Sequence, residues 1–183
     1  WDLGNAYNTG SDWYFENVAT KGSLSQWIQA DVDHGVPTAL DVTLIGWVAK
    51  DTKSVGFPVA KFGPERGHDP YRAEAGDGFR ADGSPIAPGA PSETSMPAPP
   101  EVVRRWVETL RDQDRARGKR GVDMYILDNE PGLWSTTHRD VHPTPLTYDE
   151  LLDRTIQYGT AIRKADPDAV IAGPAEWGGS VDV

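Results

Sequence analysis

Three adjacent polar residues, Asp128, Asn129 and Glu130, close an apolar run that begins at Val122. The run VDMYIL is short and nearly continuous, the pattern of a strand buried on both faces of a parallel sheet. Side chains at the C-terminal mouth of such a strand are where α/β folds carry out chemistry. A carboxyl there with an amide beside it suits cleavage of a glycosidic bond. In that reading Glu130 protonates the leaving oxygen and Asn129 holds a sugar hydroxyl. Pro131 has no backbone donor and biases Glu130 toward extended geometry, which restricts where the carboxyl points. The plain alternative is an exposed loop glutamate.

Glu176 lies at the mouth of a later, shorter strand and is read as an acceptor for sugar hydroxyls, beside Trp177 as a stacking platform. Its rival role is a second catalytic carboxyl paired with Glu130. Trp47 and Trp134 each follow a strand and are candidate walls of a sugar subsite, with core packing as the alternative. Trp27 and Trp106 fall on apolar helical faces and are assigned to the core. His138 and His142 are spaced four apart, which on a helix would suit a metal, but Pro143 and the loop composition argue against a helix. Hydrogen bonding within the loop is the expected role. Glu65, His68, Asp69, Glu74 and Asp77 cluster without the pattern of a calcium loop and are expected to be a solvated acidic segment. No metal and no cofactor is assigned. There is no phosphate-cradling glycine loop, no Gly-x-Ser-x-Gly elbow and no HExxH.

These residues need elements to position them. Ser23 or Ser25 can cap a helix running to about His34, with Leu24, Trp27, Ile28 and Val32 on one face and Gly35 and Pro37 ending it. Thr38 to Ala49 reads as a buried strand ending near Trp47. Residues 51 to 100 are rich in Gly and Pro without periodicity, either a linker or a functional loop. Glu101 to about Gly118 is an amphipathic helix with Val102, Val103, Trp106, Val107 and Leu110 inward; Arg104, Arg105, Glu108, Arg111 and Asp112 face outward. Thr147 with Glu150 forms a capping-box pattern for a helix to about Lys164, and Ala169 to Ala172 is a short strand. Helix and strand alternate, which predicts parallel strands joined by crossover helices. Three strands close no barrel. The chain is therefore expected to be a segment of a larger α/β barrel or a small open sheet.

Composition narrows the partners. A formal charge of −10 over 183 residues repels nucleic acid and anionic membranes and favours neutral substrates. No apolar run of about 18 residues is present to span a bilayer. The chain opens at Trp1 with no charged-apolar-small leader, and both ends read as cut. It has no cysteine, so disulfides and thiolate metal sites are excluded while the compartment stays open.

The string DNEPGLWSTTHRDVH, with GSDWY near the start, GWVAKD after the earlier strand and DPDAVIAGP at the later one, resembles glycoside hydrolase family 44. The likeness runs through nearly the whole chain in consistent order. It implies a secreted, extracellular endo-β-1,4-glucanase or xyloglucanase that retains anomeric configuration, with plant cell-wall polysaccharide as the partner. It also implies a (β/α)8 TIM barrel, of which residues 1–183 would supply roughly strands three to five with their helices as part of one catalytic domain. Glu130 matches the family's acid/base glutamate. The nucleophile, a glutamate ending the seventh strand, would lie beyond Val183, and the remainder of the barrel would be a separate segment. A chain without that nucleophile would bind sugar without turning it over, the alternative to an enzyme; a different barrel glycosidase sharing the Asn-Glu acid is the other. Trp1 and Asp2 stand where the family carries a Trp-Glu-Asn-Asn run, and the departure leaves them without an assigned role.

Overall fold

The computed structural model describes residues 23–51, 53–69 and 72–176, which fold as two compact units. In chain order come helix α1 (Leu24–His34), strands β1 (Thr38–Val42) and β2 (Trp47–Ala49), and the short helix α2 (Val59–Phe62). Strands β3 (His68–Asp69), β4 (Arg72–Gly76) and β5 (Ser95–Pro97) follow, then helix α3 (Pro100–Arg117) and strand β6 (Val122–Leu127). Helices α4 (Trp134–Thr137) and α5 (Tyr148–Ala165) lead to the last strand, β7 (Val170–Ala172).

One unit gathers residues 23–46, Ala98–Pro131 and 147–176 around a parallel sheet in the order β1-β6-β7. Leu40 lies opposite Tyr125, and Ile126 opposite both Asp41 and Ala172. The expected parallel pairing is present, with α3 leading into β6 and α5 into β7, as crossover connections require. Helix ends follow the sequence closely. Ser23 caps α1 in a full capping box with Gln26, and Gly35 closes it at φ 70°. Thr147 Oγ1 accepts the Glu150 N–H at the start of α5, whose first turn is acidic and last turn basic, favourable for the helix dipole.

The core of this unit is Ile28, Val42, Leu44, Val103, Val107, Val122, Tyr125, Leu127 and Ile162, each under 3% exposed. Full burial of one such aliphatic side chain contributes roughly 1.5–3 kcal/mol. At the start of the strands, buried Asp114 accepts the Gly121 N–H (3.0 Å) and pairs with Arg111 and Arg117, while buried Asp166 pairs with Arg120 at 2.6 Å. Arg111 was expected to face solvent; it is half-buried because Asp114 draws it inward.

Trp27 corrects a second expectation. It is 64% exposed, since α1 buries Ile28 and Val32 and Trp27 lies one residue, about 100°, around the helix from Ile28. Trp106 is half-buried.

Thr38 to Ala49 is not one strand. β1 stops at Val42, and β2 pairs antiparallel with β5 in a different sheet. Gly46 at φ 85° breaks the run, and Leu44 and Ile45 between them are buried without being in a strand. Apolar content there signals burial rather than pairing.

The other unit holds Trp47–Pro97 and Gly132–Leu146. The aperiodic stretch is folded: two small antiparallel sheets, β2-β5 and β3-β4, surround Val48, Phe57, Ala75 and Ile86, each at most 3% exposed. Among the described residues no helix is long and apolar enough to cross a membrane.

Candidate active site

β6 ends at Leu127, and the backbone beyond it is unusual. Asp128 and Glu130 occupy the left-handed region at φ 57° and 52°, a conformation that costs a non-glycine residue about 1–3 kcal/mol. Such geometry persists only where neighbours fix it. Asp128, 7% exposed, is fixed by three donors: Oδ2 accepts Leu44 N–H (2.6 Å) and Thr43 Oγ1 (3.4 Å), and Oδ1 accepts Asn129 N–H (2.9 Å). Its own N–H donates to Val42 O at 2.9 Å. The first acid of the motif is thereby spent on stitching the ends of β1 and β6.

Glu130 is held from the opposite side. Its N–H donates to Ala175 O (2.7 Å), Ala175 N–H donates to Asp128 O (3.2 Å), and Asn129 bridges Ala175 in parallel register. The extended geometry expected from Pro131 is absent, because the Ala175 bond selects the left-handed turn instead. Asn129 is exposed and Glu130 half-buried at the strand mouth. Gly173, at φ 94°, permits the close approach of the two strands: a Cβ there would lie 3.1 Å from Leu127 N and O. The main chain thus brings Asn129 and Glu130 beside Ala175, which Glu176 follows in the chain.

Trp47 and Trp134 belong to the other unit. Trp47 is half-buried and pairs with Pro97. Trp134 is 2% exposed, its ring 5.2 Å from that of buried His142, so it offers no open face for a sugar and takes the core-packing role instead. Trp177 lies outside the described residues, as do Trp1 and Asp2.

The residues after Trp134 are structural in a way the sequence alone did not reveal. Arg139 donates to Gly78 O (2.8 Å) and Ile86 O (3.1 Å), with its guanidinium 4.4 Å from the Phe79 ring centre. Burial pulls its pKa down. Asp140, 4% exposed, accepts Thr94 Oγ1 at 2.7 Å, and burial pushes its carboxyl up to about 6. His138 Nδ1 lies 2.7 Å from Thr137 Oγ1, and His142 N–H donates to His138 O at 2.8 Å in a turn. Both histidines therefore serve the loop. The only signal in the sequence for Arg139 and Asp140 was their place between the histidines.

The acidic cluster is likewise committed. Glu65 Oε2 accepts Gly78 N–H (2.6 Å), Asp77 pairs with Arg66 (3.0 Å), and Glu74 with Arg72 (2.9 Å). Asp69 is 1% exposed and accepts Arg72 N–H at 3.1 Å, so this member is not the solvated acid expected. Among the described residues no group of three or more His, Cys, Asp or Glu is arranged to hold a metal ion.

A profile of glycoside hydrolase family 44 matches residues 6–180. The beta-mannanase/endoglucanase A of Caldicellulosiruptor saccharolyticus is 41% identical over 58 residues, 32% of this chain and 4% of that protein. Endoglucanase A of Paenibacillus lautus is 47% identical over 58 residues, 32% of this chain and 8% of that protein. Among solved structures, CelM2, a bifunctional glucanase-xylanase from a metagenome library, aligns with a TM-score of 0.77 at 32% identity, covering 97% of this chain and 36% of CelM2. A Paenibacillus polymyxa xyloglucanase of family 44 in complex with xyloglucan aligns at 0.55 and 23% identity, over 84% of this chain and 28% of its own, a likeness of fold. The chain thus spans about a third of the solved structures it matches and under a tenth of the curated relatives. With the profile matched almost from end to end, the chain belongs to glycoside hydrolase family 44.

Proposed function

We propose that the chain is part of a secreted, retaining endo-β-1,4-glucanase or xyloglucanase acting on plant cell-wall polysaccharide, with Glu130 as its acid/base. The observation that carries this reading is Glu130 itself, held at φ 52° by the Ala175 carbonyl at the mouth of a central parallel strand. Family 44 enzymes are TIM-barrel-type glycosidases, and catalysis in such barrels sits at that end of the strands. β1, β6 and β7 are assigned as the third to fifth strands of one barrel domain, with the nucleophile on the seventh. The endoglucanase names of the relatives support the substrate class.

In the first step Glu130 gives its proton to the glycosidic oxygen as the nucleophile attacks the anomeric carbon. In the second, Glu130 takes a proton from the water that releases the sugar. The two carboxyls then stand roughly 5 Å apart. Asn129, exposed beside Glu130, accepts and donates to sugar hydroxyls.

The test is hydrolysis of xyloglucan and carboxymethyl cellulose by the complete barrel and its Glu130→Gln variant. Turnover is expected to fall about 10²–10⁴-fold, the scale of general acid catalysis, while oligosaccharide affinity persists. An unchanged rate overturns the assignment. Sugar binding without turnover in the wild type would favour a carbohydrate-binding protein.

A further inference from the structure

A second carboxyl has no task in the acid/base step. Ala175, whose carbonyl fixes Glu130, is followed directly by Glu176. Beyond the ends of β6 and β7, an isolated parallel bridge pairs Asn129 with Ala175, and Glu130 and Glu176 are the residues that follow its two partners. Glu176 is half-buried, yet among the described residues neither carboxylate oxygen has a hydrogen-bond partner, and both are turned away from solvent. An ionised carboxylate has about four acceptor sites, and leaving them unmet costs more than leaving an amide unmet. Among the described residues this carboxylate is therefore without a donor.

Two kinds of ligand would relieve it. A hard cation needs six or more oxygens, and among the described residues no metal-binding group forms around Glu176. A sugar ring brings its own donors, adjacent hydroxyls spaced to meet both oxygens of one carboxylate. We propose that Glu176 is a specificity-determining residue that turns onto the rim and accepts paired hydrogen bonds from two neighbouring hydroxyls of the glucan unit bound beside Glu130. This rests on the glycosidase reading above. It assigns the residue to substrate recognition and not to nucleophilic attack.

The test compares Glu176→Gln and Glu176→Ala with the wild type in the full-length enzyme, using cello-oligosaccharides and analogues lacking one ring hydroxyl. Glu176→Ala is expected to raise KM about tenfold or more with kcat changed less than about threefold, because the loss is one of binding. Glu176→Gln keeps one acceptor and the side-chain volume, so it should lie between the two. On the analogue missing the contacted hydroxyl, the wild-type advantage should shrink toward one. An unchanged KM in both variants overturns the proposal. So does a collapse of kcat in Glu176→Ala that azide restores, which would make Glu176 the nucleophile. Affinities repeated in the Glu130→Gln background separate the two readings: if Glu130→Gln retains full turnover, the acid assignment falls while the Glu176 effect is still read from binding.

Discussion

The main-chain N–H of Glu130 donates to the carbonyl of Ala175 across 2.7 Å while Glu130 sits at φ 52°. A strained residue beyond the end of β6 is thus locked by a residue beyond the end of β7. Strain of this kind is maintained by the surrounding structure, so under the acid/base proposal stability and activity should separate when it is removed.

Glu130→Gly makes that separation measurable. Glycine occupies positive φ without steric cost, so the change should raise unfolding stability by roughly 0.5–1 kcal/mol, after the greater entropy of the unfolded chain is counted. Hydrolysis should be abolished. Urea midpoints together with reducing-sugar release check both halves. A destabilised variant would mean that the Glu130 side chain supplies more native contact than the strain it relieves.

Asp128 should behave in the opposite way. Its buried carboxylate takes the Leu44 and Asn129 N–H groups on separate oxygens. Asp128→Asn keeps the shape but can accept only one of them and sets an amide donor against the other. A loss of about 1–3 kcal/mol is expected. A variant as stable as wild type would show that these bonds do not hold the β1 and β6 ends.

Gly173→Ala probes the approach of β7. A methyl group would meet Leu127 N and O at 3.1 Å, with φ at 94° forbidding easy relief. A drop in stability of about 1–3 kcal/mol is expected, with the Glu130 N–H to Ala175 bond loosened. Faster amide exchange at Glu130 in the variant is the direct readout; unchanged exchange would uncouple the glycine from the Glu130 turn.

Much of this rim was legible in the chain. An apolar run stopped by Asp128, Asn129 and Glu130 located the strand and its mouth, and Ser23, Gly35 and Thr147 fixed the helix ends, because caps and periodicity are local signals. The left-handed turn at Glu130 was not legible, since Ala175 imposes it from 45 residues away. Residues 51–97 looked unstructured for a related reason: β3 has only two residues, and the loop around it is organised by Arg139 and Asp140 from another part of the chain. Trp27 misled because its hydrophobicity says nothing about which side of α1 is buried.

Asp140 gives the second unit a pH dependence whose sign can be worked out. Burial raises its carboxyl to about 6 in the folded chain, against about 3.9 unfolded. Between those values the native state binds the proton more tightly, so stability from this group is highest below about pH 4. It falls as pH rises toward 6 and is level above. The full drop is on the order of 1–3 kcal/mol. Asp140→Asn keeps an oxygen for the Thr94 hydroxyl and removes the charge, so it should be more stable than wild type at pH 7.5 and nearly equal at pH 3.5. Differences in urea midpoint between the two proteins, taken across that range, isolate this carboxyl from the others. A difference that does not change with pH would mean that Asp140 titrates normally and that Thr94 holds the charged form without penalty.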